Sequence, residues 1–407
     1  MLRTHSQDAP VLVVGAGPVG MTAALALRQH GLEVTVLEAE PKDRIRPGSR
    51  AIFIHKASLK LLDSIRPGLA MTLAAEGVVW PIKRTFWRGR EVYVRRYAPP
   101  KPNTIPPFTS LPQVRAEHFL YRACLDAGVE FVWNAPVREV RVKDEGVTLK
   151  TESGQQWIAP YVIGADGARS VVRKQIGVQM EGTRSPNTFI VVDVKEDEHN
   201  PLPLERVFHY QHPAMDGRNV LFVPFAGGWR VDLQLFETDN VDDYNGIEQV
   251  RRWLPRVMDA KYVDRITWVS AYQFLQVVAQ AFCDDKRRVL LVGEAAHLFA
   301  PFGARGMNSG IADAIVAAEA IHTAMNTSDT RTARAAVEGF ARERRAAAQY
   351  NRDAAGIALH HIQGRTFTIN VQRRLAAAVA PIFPKAGRWL DEGPYGPKAG
   401  PSLATKY

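Results

Sequence analysis

Three glycine-bearing stretches carry the groups best suited to chemistry in this chain. In the first, GAGPVG, the residues Gly15, Gly17 and Gly20 are followed eighteen residues later by Glu38. Gly15 permits a tight turn, Gly17 leaves the backbone open to a phosphate, and Gly20 allows close helix packing. Ala16, Pro18 and Val19 complete the turn, and Glu38 is placed to accept hydrogen bonds from a ribose. The chemistry on offer is dinucleotide binding, with the choice between FAD and NAD(P) open at this point. In the second stretch, YVIGADGARSVVR (161–173), Asp166 sits in an Asp-Gly turn and Ser170 can start a helix. The third, RVLLVGEAAHLFAPFGARGMNSGIADA (288–314), puts Glu294 at the carboxyl end of a strand, where parallel sheets bind ligands. It also puts the N–H groups of Gly306, Met307 and Asn308 at a helix start, facing whatever binds there.

Regular elements must hold these groups. The pattern predicts a strand over Val11–Val14, a helix over Met21–Gln29 stopped by Gly31, and a strand over Val34–Leu37, which together make a βαβ unit. Arg50 follows a polar loop (41–49) and precedes a helix over Lys56–Ile65; its fork of donors suits a pyrophosphate oxygen, and a surface arginine is the other reading. Gln113 precedes a helical pattern over Ala116–Ala127, and its amide either points at a ligand or caps a turn. Residues 78–110 read as strands broken by prolines, and 130–159 as an antiparallel appendage. From 178 to 273 strands alternate with polar turns; there Arg230, Asp232 and Gln234 share one face of a strand, with Trp229, Val231 and Leu233 on the other. Strands over Tyr161–Ile163 and Val289–Val292 and a helix over Gly310–Ala324, after a turn at 303–308, complete the frame. The chain beyond is mainly helical, with a proline-rich end from Pro381. These readings divide it into 1–177, 178–275, 276–330 and 331–407.

At 407 residues the chain can bury a large core. Its net charge of +10 is scattered, and the densest cluster, Arg342–Arg345, reads as a solvated helix face, so no nucleic-acid partner is expected. Two cysteines, Cys124 and Cys283, argue against a disulfide framework and suit a reducing cytoplasm. The longest uncharged run is the first glycine motif itself, residues 1–10 carry no apolar segment, and no metal set is evident, so neither a membrane span, a secretory signal nor a metal site is expected.

In order and spacing, GAGPVG with Glu38, GADGARSVVR, and GEAAHLFAPFGARGMNSG resemble the three signatures of the class A flavoprotein monooxygenases, such as p-hydroxybenzoate, phenol and 3-hydroxyphenylpropionate hydroxylases. The likeness runs from Val11 to about Ala324. It implies an α/β FAD-binding, Rossmann-like (p-hydroxybenzoate hydroxylase-like) fold with an inserted, mostly antiparallel β-sheet substrate domain and a helical C-terminus. It also implies FAD as cofactor, NAD(P)H as transient co-substrate, O2, an aromatic small-molecule substrate, and a possible homodimer. In the implied reaction NAD(P)H reduces FAD, dioxygen adds at flavin C4a, and the hydroperoxide oxygen passes to a phenolic ring. Baeyer-Villiger or epoxidising chemistry and a non-catalytic FAD-binding protein are the rival readings.

Carried over, the resemblance places Gly15, Gly17, Gly20 and Glu38 on the ADP half, Arg50 and Asp166 near the pyrophosphate, and Gln113 and Glu294 on the ribityl chain. Pro301 and Gly306–Asn308 fall at the flavin ring. Four departures stand out: Glu294 where Asp is usual, Arg305 where Gln is frequent, adding a positive charge beside the flavin, Ile52 where some members carry an acid, and Tyr272-Gln273-Phe274-Leu275 where many relatives show Arg and His. Tyr272, Arg230 and His209 are the candidates for a group acting on a phenolic substrate. His297 is expected to pack or to bond the backbone near Glu294.

Overall fold

The computed structural model describes residues 10–397, so most of the N-terminal stretch considered for a signal lies outside it. A five-stranded parallel sheet holds, in spatial order, Val289–Leu291, Val162–Gly164, Val11–Val14, Val34–Leu37 and Glu130–Val132. The four residues of Val11–Val14 and of Val34–Leu37 are all buried. Helices cover both faces of such a sheet, which is why these strands are buried throughout and show no alternation.

Besides Gln113–Asp126, two helices start earlier than their apolar pattern indicates. The first is Pro18–Gln29: Pro18 needs no N–H at the first helical position, and Gly17 caps the helix with extended backbone. The second is Arg305–Met325, so the supposed turn at Gly306–Asn308 is the first turn of the helix, entered from Ala304 at φ 52°. Gly310 therefore does not start a helix. It lies inside one, where an added Cβ would come within 2.5 Å of Val19 Cγ2. The glycine serves the contact between the two helices.

The second sheet has eight strands in the order His297–Leu298, Ile266–Ala279, Met180–Lys195, Gly228–Gln234, Val220–Phe225, Glu205–Tyr210, Ile82–Trp87 and Arg90–Arg96. All neighbours are antiparallel except Glu205–Tyr210 with Ile82–Trp87. The sheet thus reaches beyond 178–275 at both ends. It takes in the hairpin at 82–96 through that parallel pairing, and its longest strands remain paired as far as Met180 and Ala279. One face packs Ile190, Val192, Val231 and Leu233 against Val250 and Trp253 of the helix Ile247–Trp253. The other packs on the C-terminal helices Thr330–Gln363, Phe367–Val379 and Pro384–Glu392.

The arginine cluster is a correction to the solvated-face reading. Arg342 is exposed, but Arg344 is fully buried, with its Nε 2.8 Å from Asp313 Oδ1 on the neighbouring helix. Arg344 shares its helix face with the buried Val337, Phe340, Ala347 and Ala348, so it turns inward toward a carboxylate. Cys124 and Cys283 are buried and free. Among the described residues, no helix is long and apolar enough to cross a membrane, and no group of His, Cys, Asp and Glu could hold a metal ion.

Candidate cofactor and substrate site

The three motifs converge at the carboxyl ends of the parallel strands. Gly15 adopts φ +106°, and a Cβ on it would lie 2.5 Å from Ala165 O, so the first and second motifs are pressed together at backbone distance. A Cβ on Gly20 would lie 2.0 Å from Gly15 O, which seals the turn. Gly17 is different: a Cβ there would meet nothing within 4 Å, as expected of a position kept open for a ligand. Pro18 offers no N–H, and the Val19 side chain packs toward Gly293 and Gly310, so both contribute backbone and shape only.

Glu38 is buried, accepting from Ala16 N at 2.6 Å and Glu40 N at 3.0 Å. Arg44 Nη2 donates to Ala16 O at 2.9 Å, and Arg44 and Arg46 each come within 3.9 Å of the Glu38 carboxylate. Neither arginine was singled out from the sequence; two basic residues in the polar loop after the acid were the available signal. Asp166 accepts from Ser170 Oγ and from the backbone N–H groups of Val171 and Val172, capping the helix Val171–Gln175. Burial raises its carboxyl above the ordinary range, and those donors partly offset the rise.

Further along the cleft, Glu294 is exposed to it and receives no hydrogen bond from any described residue. Surrounding protein raises its carboxyl, while His297 and Arg50 pull it down; because the side chain opens onto the cleft, solvent screens much of the rise. Arg50 is exposed, sits at φ 52° and carries its charge toward Glu294. Gln113 is the first residue of the helix Gln113–Asp126. Its Oε1 accepts from Ala51 N at 3.3 Å and its Nε2 donates to Glu117 Oε1 at 2.8 Å, so the amide ties down the loop that carries Arg50.

At the far end, the first four N–H groups of Arg305–Met325 have no acceptor within the helix. A Cβ on Gly306 would meet nothing within 4 Å, so this helix start opens onto free space as Gly17 does. Asn308 is buried and ties the turn down: its Nδ2 donates to Phe53 O and Ala304 O, and its Oδ1 accepts from His55 N. His55 Nε2 lies 3.0 Å from Gly303 O, and burial lowers its pKa, so the neutral ring braces the loop from Pro301 to Ala304. Pro301 itself is exposed, with its carbonyl accepting from Ala304 N. Arg305 departs from expectation. Its guanidinium donates to Asn351 Oδ1 at 2.9 Å and to the carbonyls of Tyr395 and Pro397, so the charge holds the C-terminal segment.

His297 packs, as expected, and bonds a side chain where a backbone group was the other reading. Its Nε2 lies 2.7 Å from Asp313 Oδ2, and its ring stacks on Phe299. Asp313 Oδ2 accepts from Gly293 N at 3.1 Å as well, so a buried cluster of His297, Asp313 and Arg344 supports the turn that presents Glu294. A carboxylate on the adjacent helix satisfies the ring without any backbone acceptor.

Of the three substrate candidates, two face the cleft. Arg230 donates to Ser49 Oγ at 2.5 Å and lies 3.6 Å from Asp193, whose carboxylate accepts from Ser49 N and Oγ; it clamps the loop before Arg50 to the sheet. Tyr272 pairs with Phe189, is 41% exposed and lies near Trp268. His209 is removed from the cleft by strand alternation: it pairs with Val220 on the opposite face, stacked on Phe86 at 4.5 Å and beside Phe222. Burial and His212 lower its pKa to about 4.

Asp232 lies on the cleft face, next to Val191 and Leu221. No described residue donates to it, and its Oδ1 is sealed from solvent. Burial raises its carboxyl to about 6, with Arg230 and Arg206 drawing it down and Asp193 pushing it up. It borders a small cavity walled by Phe189, Phe208, Leu221, Phe302 and Ile362, with Asn219 and Gln234 at one side. Phe302 belongs to the loop that leads into the Arg305–Met325 helix, so this cavity adjoins the far end of the cleft.

Open backbone at Gly17 and Gly306, a helix start at each place, and a partnerless carboxylate between them fit an elongated ligand. Such a ligand would carry phosphates at one end, hydroxyls in the middle and an electron-accepting ring at the other.

Comparison with known proteins gives a consistent result. A family model described as FAD binding domain matches residues 8–355. The chain is 30% identical over 336 residues to para-nitrophenol 4-monooxygenase of Pseudomonas sp. strain WBC-3, covering 79% of this chain and 80% of that protein. It is 28% identical over 316 residues to 6-methylpretetramide 4-monooxygenase of Streptomyces rimosus, covering 75% of this chain and 54% of that one, so it spans about half the length of that relative. The crystal structure of p-nitrophenol 4-monooxygenase from Pseudomonas putida superposes with a TM-score of 0.77 at 23% identity, covering 96% of this chain and 99% of the other.

Proposed function

The chain belongs to the FAD binding domain family, that of the class A flavoprotein monooxygenases, and on that premise we propose that it is an NAD(P)H-dependent hydroxylase of a phenolic small molecule. The observation that carries this reading is the placement of an open helix start beside the cleft face of the eight-stranded sheet, where Phe189, Phe274 and Phe302 cluster. The cleft along that face of the sheet would take the substrate ring, and the helix start would face the flavin edge that gains negative charge on reduction. Bound FAD supplies electron transfer from NAD(P)H and activation of dioxygen. The chain's own residues do the rest of what the reading requires. The Gly17 turn and the loop tied down by Gln113 and Arg230 hold the phosphate end, Glu294 accepts from hydroxyls, and the aromatic walls exclude water where oxygen is transferred.

The purified protein is tested by its absorption spectrum and then by NAD(P)H consumption, oxygen uptake and product analysis with a panel of phenols. The expected result is a yellow protein whose NAD(P)H oxidation rises with particular phenols and yields ring-hydroxylated product. A colourless protein that fails to take up added FAD refutes the reading. Lactone or epoxide products without ring hydroxylation would move it to the oxygenase alternatives.

A further inference from the structure

Positive charge that reads as scattered along the sequence is gathered in space at the C-terminal helices. Residues 82–101 and 354–390 hold twelve Lys and Arg against one acid, Glu91, in a chain whose net charge is +10. The fold makes these two stretches neighbours. A Cβ on Gly387 of the helix Pro384–Glu392 would come within 2.5 Å of Val92 O in the strand Arg90–Arg96, and Arg90 donates to Ala377 O at 2.6 Å. Several of the charges are committed, Arg84 to Glu91 and Glu205, Arg365 to Glu237, and Arg388 to Glu392. Arg374 and Lys385 are exposed and make no ion pair among the described residues.

Between these charges the helix Phe367–Val379 is turned with its apolar side outward. Ile369, Arg373 and Ala377 are buried, and Arg373 donates to the carbonyls of His361 and Ile362. Phe367, Val371, Leu375 and Val379, each four residues after the last, face solvent. Phe367 is 82% exposed, and the stripe continues into the corner 381–384, where Ile382 and Phe383 are 76% and 62% exposed. For side chains of this size that is on the order of 600 Å² of apolar surface, the upper end for the largest patch on a monomer. The corner also leaves no backbone donor free. Pro381 and Pro384 have no N–H, and those of Ile382 and Phe383 both donate to Val379 O, at 3.0 and 2.8 Å. Backbone that enters a medium without water must be satisfied in this way.

We propose that this face docks on an anionic lipid bilayer, with the helix Phe367–Val379 lying along the surface and the corner 381–384 set into the acyl boundary. The apolar stripe supplies the burial, and Arg374 and Lys385 at its rim meet anionic headgroups. A second copy of the chain is the poorer occupant, because residues 354–390 contain no acid and would set Arg374 and Lys385 against like charges. The association lies on the membrane and needs no spanning helix, and it does not depend on the hydroxylase reading.

The purified protein is sedimented with vesicles of phosphatidylcholine alone or mixed with phosphatidylglycerol, and its oligomeric state is read by light scattering. It is expected to bind the mixed vesicles, less tightly as salt rises, and phosphatidylcholine alone at least about tenfold more weakly. Phe367→Ser/Phe383→Ser should weaken binding to the mixed vesicles by about tenfold or more for each side chain lost, and Arg374→Gln/Lys385→Gln by about fivefold for each charge. Both pairs should keep the wild-type unfolding midpoint, since all four side chains are exposed. No binding to the mixed vesicles at low salt, equal binding to both lipids, or binding that neither pair weakens overturns the proposal. A wild-type dimer that ignores vesicles and dissociates in the phenylalanine variant also overturns it, and gives the face to a second copy.

Discussion

Replacing Asp313 by alanine tests whether the buried cluster beneath the Glu294 turn is as important as its geometry indicates. Asp313 accepts from Gly293 N at 3.1 Å, His297 Nε2 at 2.7 Å and Arg344 Nε at 2.8 Å, with the three side chains between 0 and 1% exposed. Removing one partner of a buried ion pair costs about 3–5 kcal/mol, because the remaining charge loses its compensation while it stays out of water. Glu343, 3.7 Å from the same guanidinium and half-exposed, recovers part of that, which favours the lower end, about 3 kcal/mol. With a urea dependence of about 3 kcal/mol per molar, the unfolding midpoint should fall by roughly 1 M. The companion variant Asp313→Leu/Arg344→Met removes both charges and should lie closer to wild type than Asp313→Ala does. A single variant within about 0.3 M of wild type, or a double variant worse than the single, would refute the reasoning. The effect also has a pH signature. Burial alone would raise the Asp313 carboxyl, but His297 and Arg344 outweigh it and hold it below its ordinary value. The contribution is therefore complete above about pH 4 and is lost as pH falls through the folded-state value, a window in which Asp313→Ala should show no further loss.

Gly17→Val should fold as wild type does, since a side chain there meets open space and the backbone is already extended, yet it should fail to retain FAD; normal flavin content in this variant would remove the phosphate-site assignment. Tyr272→Phe should leave flavin content unchanged. Asp232→Asn should be more stable than wild type at neutral pH. A carboxyl raised to about 6 in the folded state favours folding below its unfolded value and loses that contribution as pH rises through 6, so the gain should be on the order of 2 kcal/mol at pH 8 and absent below pH 4. Urea titrations at the two pH values check it, and equal midpoints at pH 8 would contradict it.

The parts legible in the sequence were those whose cause is local. Lys56–Ile65 and Val34–Leu37 match their predicted limits, because an amphipathic period in the one and a short run bounded by turn residues in the other are encoded within the element itself. The glycine turn and Glu38 were legible because each glycine answers a requirement of its own backbone. What escaped depends on partners distant in sequence. Asp313 lies 16 and 31 residues from His297 and Arg344, and no local pattern marks the trio. The shared face of Arg230, Asp232 and Gln234 was readable from alternation, but Arg230's engagement with Ser49, 181 residues away, was not, and so the isolation of Asp232 was hidden. For His209, alternation alone could not say which face of the sheet meets the cleft; that is decided by the helix Ile247–Trp253 packing on the other side. Arg305 was expected beside the flavin, but the tail carbonyls it reaches are about 90 residues further on.

The ladder between Met180–Lys195 and Ile266–Ala279 bears on how this chain can be recombined with its relatives. It runs from the pair Met180 and Ala279 to the pair Val194 and Ile266, and Val277 and Val278 also bond to Leu298 and His297. A chimera that exchanges the substrate half at 178 and 275 would cut one of these strands four residues short of its end and unite halves whose registers evolved apart. Crossovers at Val178 and at Gln280–Phe282, outside the paired run, would carry the ladder across whole. A parent with a different bulge between Arg184 and Thr188 would still aim its Phe189 counterpart differently at the cavity.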